Sequence, residues 1–579
     1  MKVRCMEHNA EKGSIGLFII TGSIAFFILM HLQSFDLSWG ESAILTKSSV
    51  LLGGAHPSGY PLQMILMHPA RFLPIGDLIF RSNLFGLFMN ALAIGTFAVL
   101  LQRLLKGPWA YSIIGAILLM CSLPFQTACR SIEVYSLNLL LIFGVLIFFG
   151  DTREPRKFML GALIAGLTSA HHLTSVFILL PLFGGALLTR SISWGVRLLA
   201  SCLFILGMST ELFLILRDTV NPELTWGDAR SWTGFIDLVT ASEESSGSFR
   251  AGLSAMETVL SRTVRSIRPT FQTVGYSGMI LAVLGCLSLL KSERKMTVMM
   301  SISTVFFILG VSIYETREST SFLLPVTTFV IIAMLAALNR IDHVCRGLLS
   351  GFLLIRVILI VFLVLRVLQS LLASLPDSAQ EDRFPRLLIS HMLDVAPNES
   401  IIMTRRSDVY FLGSYLMHCE MRHNDSKQMV FQHLLSFRWY LEDLNRVGIQ
   451  SLSDDSWTQI PKDTHEWNAA ISDLIVRRNG RGHDFLVTDF DTIRDMESVR
   501  GKSITLIPRS LFGLIPAINI NSISLSMPEV VFHLTAASRS NLGFQLYQAM
   551  QFNHHAGQLE HAERYREITQ RLWTTKSDQ

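Results

Sequence analysis

Apolar residues gather in long runs up to about residue 373 and thin out beyond it. A helix needs about 20 apolar residues to cross ~30 Å of hydrocarbon. Ser14–Leu32 meets that length, with His31 its one titratable side chain. Further runs lie at about 84–102, 109–125, 134–150, 158–170, 173–189, 198–216, 274–290, 296–314, 320–338 and 347–373, so the pattern predicts eleven spans. The 158–170 and 173–189 pair is short, which predicts tilted or partial spans. The pattern divides the chain into a transmembrane domain, 1–373, and a soluble domain, 374–579. In the latter, Ser400-Ile-Ile-Met-Thr404 and Phe485-Leu-Val-Thr488 read as buried strands, and Val409–Cys419 and Leu435–Leu444 as helices. Leu542–Phe552 and Leu559–Trp573 read as a helical hairpin around His554-His-Ala-Gly557, similar to one tetratricopeptide unit. A single unit of that kind cannot bury its own face, so it must pack on the rest of the domain.

Charge orients this layout. Lys2, Arg4 and Lys12 precede the first run, which lacks a small-x-small cleavage site and reads as a retained anchor. With the N-terminus inside, the inner connections carry fifteen Lys and Arg against ten in the much longer outer ones. This follows the positive-inside rule. An odd number of spans then puts 374–579 outside, in a periplasm or an endoplasmic-reticulum lumen. The predicted class is a polytopic α-helical membrane protein with an extracytoplasmic α/β plus helical-hairpin domain. Composition agrees: 16% of residues are charged, against about 25% in an average soluble domain, and mean hydropathy is +0.41. The net charge of +4 has no basic run or aromatic-basic patch to suggest nucleic acid. Seven cysteines show neither metal spacing nor a disulfide framework.

Sorting polar residues by side collects the unusual ones on the outer face. The first outer loop, 33–83, supplies Asp36, Glu41, His56 and Tyr60. The connection between the third and fourth spans supplies Glu133 and Tyr135, and the next outer connection His171 and His172. The long outer loop, 218–273, supplies Trp226-Gly-Asp228, and a last connection Glu315, Arg317 and Glu318. In His56-Pro-Ser-Gly-Tyr-Pro61, Pro57 biases the chain before it to extended geometry, Gly59 permits a tight turn, and Pro61 suits the first position of a helix. Leu62–Phe72 then reads as an amphipathic interfacial helix, ended near Pro74-Ile-Gly76, that can shape a groove for a lipid-linked substrate. Charges near helix ends also simply reach for the interface, which is the plainer reading for several of these groups.

Ser38-Trp-Gly-Glu41, Gly53-Gly-Ala-His-Pro-Ser-Gly-Tyr-Pro-Leu62, Arg81-Ser-Asn-Leu-Phe85 and Glu133-Val-Tyr-Ser-Leu137 carry a resemblance. Gly166-Leu-Thr-Ser-Ala-His-His-Leu-Thr174 and Thr225-Trp-Gly-Asp228 extend it to about residues 14–340. Over this stretch the chain resembles the membrane O-mannosyltransferase-like proteins, a family of GT-C type polyprenyl-phosphate-sugar transferases. Where that family usually has Asp two residues before Gly-Glu, this chain has Ser38, and Asp36 lies two residues further upstream. Either Glu41 alone is the base, or Asp36 substitutes after a local shift, or the activity is altered; Glu41 is the favoured choice.

The resemblance implies a GT-C-like fold and transfer of one sugar, mannose by default, from a polyprenyl-phosphate carrier to a hydroxyl of a protein or glycan on the outer side, with inversion. A hydroxyl nucleophile needs a carboxylate base as it attacks, the role assigned to Glu41 with Asp36 in reserve. His56, Tyr60, Glu133, Tyr135, His172, Trp226, Asp228 and Arg317 are the expected substrate-binding residues. His56, His172 or Arg317 can meet the leaving phosphate. No nucleotide-binding loop is present, no cofactor is required, and no ligand spacing demands a metal, although His and carboxylates leave a divalent ion open. The soluble domain is expected either to bind the acceptor or to act as a lid. Two other classes remain: a flippase for a lipid-linked substrate, which should show internal repeats, and a non-catalytic partner of an active transferase. The topology makes its own prediction: a reporter that glows only in the cytoplasm should stay dark when fused after Gln579, and a bright fusion would overturn the eleven-span layout.

Overall fold

A computed structural model describes residues 2–150, 154–188, 192–220, 226–242, 256–313, 319–347, 383–396, 398–420, 427–451, 464–479, 485–488, 490–500, 536–555 and 559–574. Up to residue 347 the described residues are mostly helical. Among the described residues, six helices are long and apolar enough to cross a membrane: Gly13–Met30, Leu78–Leu105, Trp194–Val220, Ile267–Ser292, Arg294–Ser312 and Leu324–Val344. This is an integral membrane protein.

The expected eleven spans meet the structure unevenly. Three apolar helices, Trp109–Met120, Tyr135–Phe149 and Ser175–Leu187, are shorter than a full crossing. At 1.5 Å per residue, the 12 residues of Trp109–Met120 rise only about 18 Å. A break at Cys121-Ser122 separates that helix from Leu123–Ala128, whose Pro124 suits a helix start. The short pair appears as Pro155–His171 and Ser175–Leu187. The expected span at 347–373 lies outside the described residues apart from Gly347.

Burial sorts the helices. Leu324–Val344 and Leu78–Leu105 are mostly enclosed and form the centre, where Phe97, Phe143 and Phe158 are fully buried. Trp194–Val220 is mostly open, with Leu198, Ile205 and Leu216 facing outward, as lipid-facing positions require. Small residues permit close approach: a Cβ at Gly166 would come within 2.0 Å of the Phe204 carbonyl oxygen on the neighbouring helix.

The first outer loop is folded, not slack. It contains the helix Ser42–Leu51, the helix Pro61–Met67 and a 3-10 turn His68–Phe72. Arg71 and His68 hold this turn by bonding the carbonyls of Val50 (2.6 Å) and Ser49 (2.8 Å).

The C-terminal domain is built on three parallel strands, β1 (Ile401–Thr404), β2 (Gln428–Phe431) and β3 (Phe485–Val487), in the order β2-β1-β3. Each crossover carries helix, as parallel strands require. The sequence pattern predicts β1 and β3 but not β2, a four-residue strand following the polar stretch 421–426. Leu435–Leu444, read as one helix, is a 3-10 turn, Gln432–Ser436, followed by the helix Arg438–Arg446. Ala536–His555 and Leu559–Thr574 add Leu546, Ala549, Tyr565 and Ile568 to the domain core.

The first outer loop and this domain share that core. Leu37, Ala43, Ile44 and Ile79 pack in one cluster with Leu388, Leu393, Leu412 and Tyr415. Two cations cross the seam. Arg386 binds Asp36, Asp77 (2.8 Å) and Glu420 (2.5 Å). Lys47 donates to the Ser414 hydroxyl (2.6 Å).

Burial lowers the Lys47 ammonium from 10.5 to about 8, with neighbouring Cys419 pulling weakly the other way. Between those values the unfolded chain holds a proton that the folded chain has released, so stability rises with pH across that window. The gap corresponds to roughly 3 kcal/mol. Unfolding in detergent at about pH 7.5 and 10 is expected to show this gain in the native protein and its loss in Lys47→Met. An identical pH dependence in the two proteins would contradict it.

Candidate functional site

Gly40 and Glu41 turn the chain into the Ser42–Leu51 helix. Gly40 has φ +109°, a conformation that side chains rarely adopt. A Cβ there would stand 3.9 Å from the Glu133 carboxylate, so Glu133 borders this turn. Ser38, at the position where the family pattern has aspartate, faces the Ser42 hydroxyl (3.1 Å) at the helix start. Trp39 is pinned from outside by Phe384 (ring centroids 6.2 Å) and by the Arg406 guanidinium 5.6 Å above its ring.

The His56–Pro61 turn closes through a Gly59 N–H to His56 carbonyl bond (2.7 Å) and an Ala55 N–H to Gly59 carbonyl bond (3.2 Å). Gly59 has φ +85°, and a Cβ there would sit 2.7 Å from Leu214 Cδ1. Pro61 then opens its helix as expected.

This turn delivers His56 to Glu41. His56 Nε2 lies 2.9 Å from Glu41 Oε1, and both side chains are largely buried. His56 Nδ1 lies 3.1 Å from the Pro57 carbonyl, which can only accept, so Nδ1 carries a hydrogen. Nε2 is the ring atom that faces the Glu41 carboxylate.

Rings continue away from this pair in both directions. Outward, His56 stacks on Phe411 of the C-terminal domain (6.2 Å, 20° between planes) and approaches Trp226 (6.5 Å). Trp226 touches Phe431 and Trp439 of the same domain. Inward, His56 meets Tyr60 (5.3 Å), Tyr60 meets His172 (6.0 Å), and His172 meets Tyr135 (5.7 Å). Phe322 closes the path against both Tyr135 and His172. His172 Nδ1 is paired with the Thr174 hydroxyl (2.8 Å). His171 Nε2 bonds the Val134 carbonyl (2.9 Å), fixing the corner from which Glu133 and Tyr135 project.

The structure therefore joins Glu41, His56, Tyr60, Tyr135, His172 and Trp226 in one line, with Glu133 beside Gly40. Two expected residues stand elsewhere. The Asp36 carboxylate is taken up by Arg386 and by the Leu37 N–H (2.7 Å). Asp228 pairs with Arg230 (2.7 Å), whose backbone N–H also donates to buried Asp218 (3.1 Å). That cluster continues to Asp443. Burial pushes the Asp443 carboxyl up to about 7, opposed by Arg446 and Arg230 and aided by Asp218 and Asp228. Arg317, with Glu315 and Glu318, lies outside the described residues.

Phe411, Trp439, Phe384 and Arg386 were not singled out in the sequence. They come from a domain more than 300 residues away from Glu41, and no local motif marks them. Among the described residues no group of three His, Cys, Asp or Glu side chains is placed to hold a metal ion.

Residues 42–194 match the family model described as the protein O-mannosyl-transferase TMEM260 N-terminal domain. The match includes His56, Tyr60, Glu133, Tyr135 and His172 and begins one residue after Glu41. Protein O-mannosyl-transferase TMEM260 of Mus musculus is 24% identical over 475 residues, 76% of this chain and 65% of that protein. The Dictyostelium discoideum protein of the same description is 22% identical over 329 residues, 50% of this chain and 38% of that protein. The chain thus spans less than two thirds of the length of these relatives. The likeness to protein O-mannosyltransferases carried by the motifs is borne out. Among solved structures, ArnT from Cupriavidus metallidurans bound to undecaprenyl phosphate is matched with a TM-score of 0.49 at 13% identity, over 75% of this chain and 88% of that one.

Proposed function

We propose that this chain is a membrane glycosyltransferase of GT-C type. It moves one sugar, mannose by default, from a polyprenyl-phosphate carrier to a hydroxyl of a protein on the extracytoplasmic side. The observation that carries the reading is the Glu41–His56 pair, 2.9 Å apart beneath a lid of aromatic rings from the C-terminal domain. The likeness to protein O-mannosyltransferases supplies the sugar and the acceptor class.

The chemistry assigns each part. The acceptor oxygen attacks the anomeric carbon while the bond from that carbon to the carrier phosphate breaks. The hydroxyl proton passes to Glu41, and the polyprenyl phosphate leaves with the bonding electrons. Before substrate arrives, His56 holds the carboxylate in place. Once the acceptor displaces it, the His56 ring is free to donate to departing phosphate. Tyr60, Tyr135 and His172 line the route on the membrane side, where an apolar carrier belongs. Asp36 serves as a tether through Arg386, not as a second base. Ser38 contributes a hydroxyl at the helix start, so a single carboxylate carries the proton transfer. The N-terminus is cytoplasmic and the C-terminal domain periplasmic or lumenal.

Glu41→Gln keeps the size of the side chain and removes its basicity. Purified Glu41→Gln protein, assayed with a polyprenyl-phosphate-mannose donor, is expected to lose about 10²–10⁴-fold in turnover while its thermal unfolding midpoint stays near the native value. Asp36→Asn is expected to retain most of the turnover. Native rates in Glu41→Gln would end the base assignment.

A further inference from the structure

A cleft of ≈ 390 Å³ opens beside the Glu41–His56 pair, at the seam between the outer loops and the C-terminal domain. Pro57, the residue after His56, forms one wall, Trp226 and the helix Trp232–Thr240 a second, and Phe437–Glu442 of the C-terminal domain the third. Its size is at the low end for pockets that take a side chain or small ligand.

The lining combines two kinds of group. Trp226, Phe437 and Trp439 offer ring faces: Phe437 stacks on Trp439 (6.2 Å, 25°), and Trp226 lies 6.3 Å from Trp439. Around them stand three carboxylates, Asp228, Asp237 and Glu442, against one guanidinium, Arg438. Arg438 is already occupied by Glu442 (2.8 Å), and Asp228 by Arg230 (2.7 Å). Asp237 accepts only a neutral hydrogen bond, from the Ser242 hydroxyl (2.5 Å), among the contacts described. Aromatic faces with surplus negative charge attract an extended cation: the rings receive it through their quadrupoles and the carboxylates pair its head. A neutral sugar needs the rings and hydrogen bonds, but gains nothing from the surplus charge.

Resting on the reading above, we infer that this cleft is an anchoring subsite for the acceptor polypeptide and takes a lysine or arginine side chain. Its distance from the base sets the spacing. The Trp226 and His56 rings are 6.5 Å apart, and Glu41 Oε1 lies 2.9 Å from His56 Nε2. Laid end to end, these spans set an upper limit of about three residues of extended chain at ~3.3 Å each. The acceptor hydroxyl and the basic residue are therefore within about three positions of each other, and the pair of contacts fixes the strand across the seam.

The test uses the full chain in detergent and fluorescein-labelled alanine-rich peptides with one serine and one lysine moved stepwise to either side of it. Anisotropy titration gives binding without donor; transfer from polyprenyl-phosphate-mannose gives KM and kcat. Binding is expected to tighten about tenfold when lysine stands within about three positions of serine, with KM falling and kcat unchanged, as a charge-assisted contact implies. Asp237→Asn and Glu442→Gln are each expected to shrink that preference while leaving kcat on the lysine-free peptide alone. Asp237→Lys is expected to transfer it to a peptide with glutamate in place of lysine. Equal binding of all peptides by the native protein would overturn the inference. So would displacement of the labelled peptide by a neutral oligosaccharide with no lysine dependence. Lysine-dependent binding without sugar transfer would instead overturn the transferase reading and leave the basic-side-chain cleft standing.

Discussion

The arrangement depends on one guanidinium. Arg386 reaches from the first helix of the C-terminal domain to Asp36 and Asp77 at the two ends of the first outer loop, and to Glu420 of its own domain. Burial works against its charge, but the hydrogen bonds it donates to Asp36 and Glu420 outweigh that cost and raise its pKa above the ordinary value. A planar fork that addresses several carboxylates at once suits arginine and not lysine. Removing it would leave three carboxylates facing one another across a partly buried seam, which is the expensive way to break such a contact. The shared core of Leu37, Ile44 and Ile79 with Leu412 and Tyr415 follows the same seam.

From this tether the site follows as a joint product of two regions. The outer loops bring Glu41, His56 and Trp226; the C-terminal domain brings Phe411 and Trp439 to cover them. Neither region alone encloses the Glu41–His56 pair. Enclosure excludes water and strengthens the attraction between the two groups, and the same contact shapes the acidic aromatic cleft beside them. The membrane helices supply the inward half of the ring path, where Tyr135 and His172 meet Phe322.

Much of this was legible in the chain, for identifiable reasons. The apolar runs gave the membrane helices because a hydrocarbon solvent imposes a length. The His56–Pro61 turn was readable because glycine and proline restrict the backbone locally, and Gly59 and Pro61 act as their types predict. The missing parts are long-range. Nothing near Asp36 announces Arg386, so a carboxylate three residues before Trp-Gly-Glu resembled a spare base. Phe411 and Trp439 lie in stretches whose pattern predicts only helices. The four-residue strand β2 was too short to show a period, and its pairing with β1 is decided by tertiary contact. The short apolar helices exposed another limit, because hydropathy counts residues and does not see the break at Cys121-Ser122.

The claim that a domain-crossing cation holds the site together is tested most directly by hydrogen–deuterium exchange on Arg386→Met protein in detergent. In the variant, the amides of residues 53–60, including the Gly59 N–H that closes the His56 turn, are expected to exchange faster by about tenfold or more, while the buried helix Leu78–Leu105 keeps its native protection. Native exchange throughout 53–60 would contradict the account, since the Glu41–His56 turn would then stand without the tether.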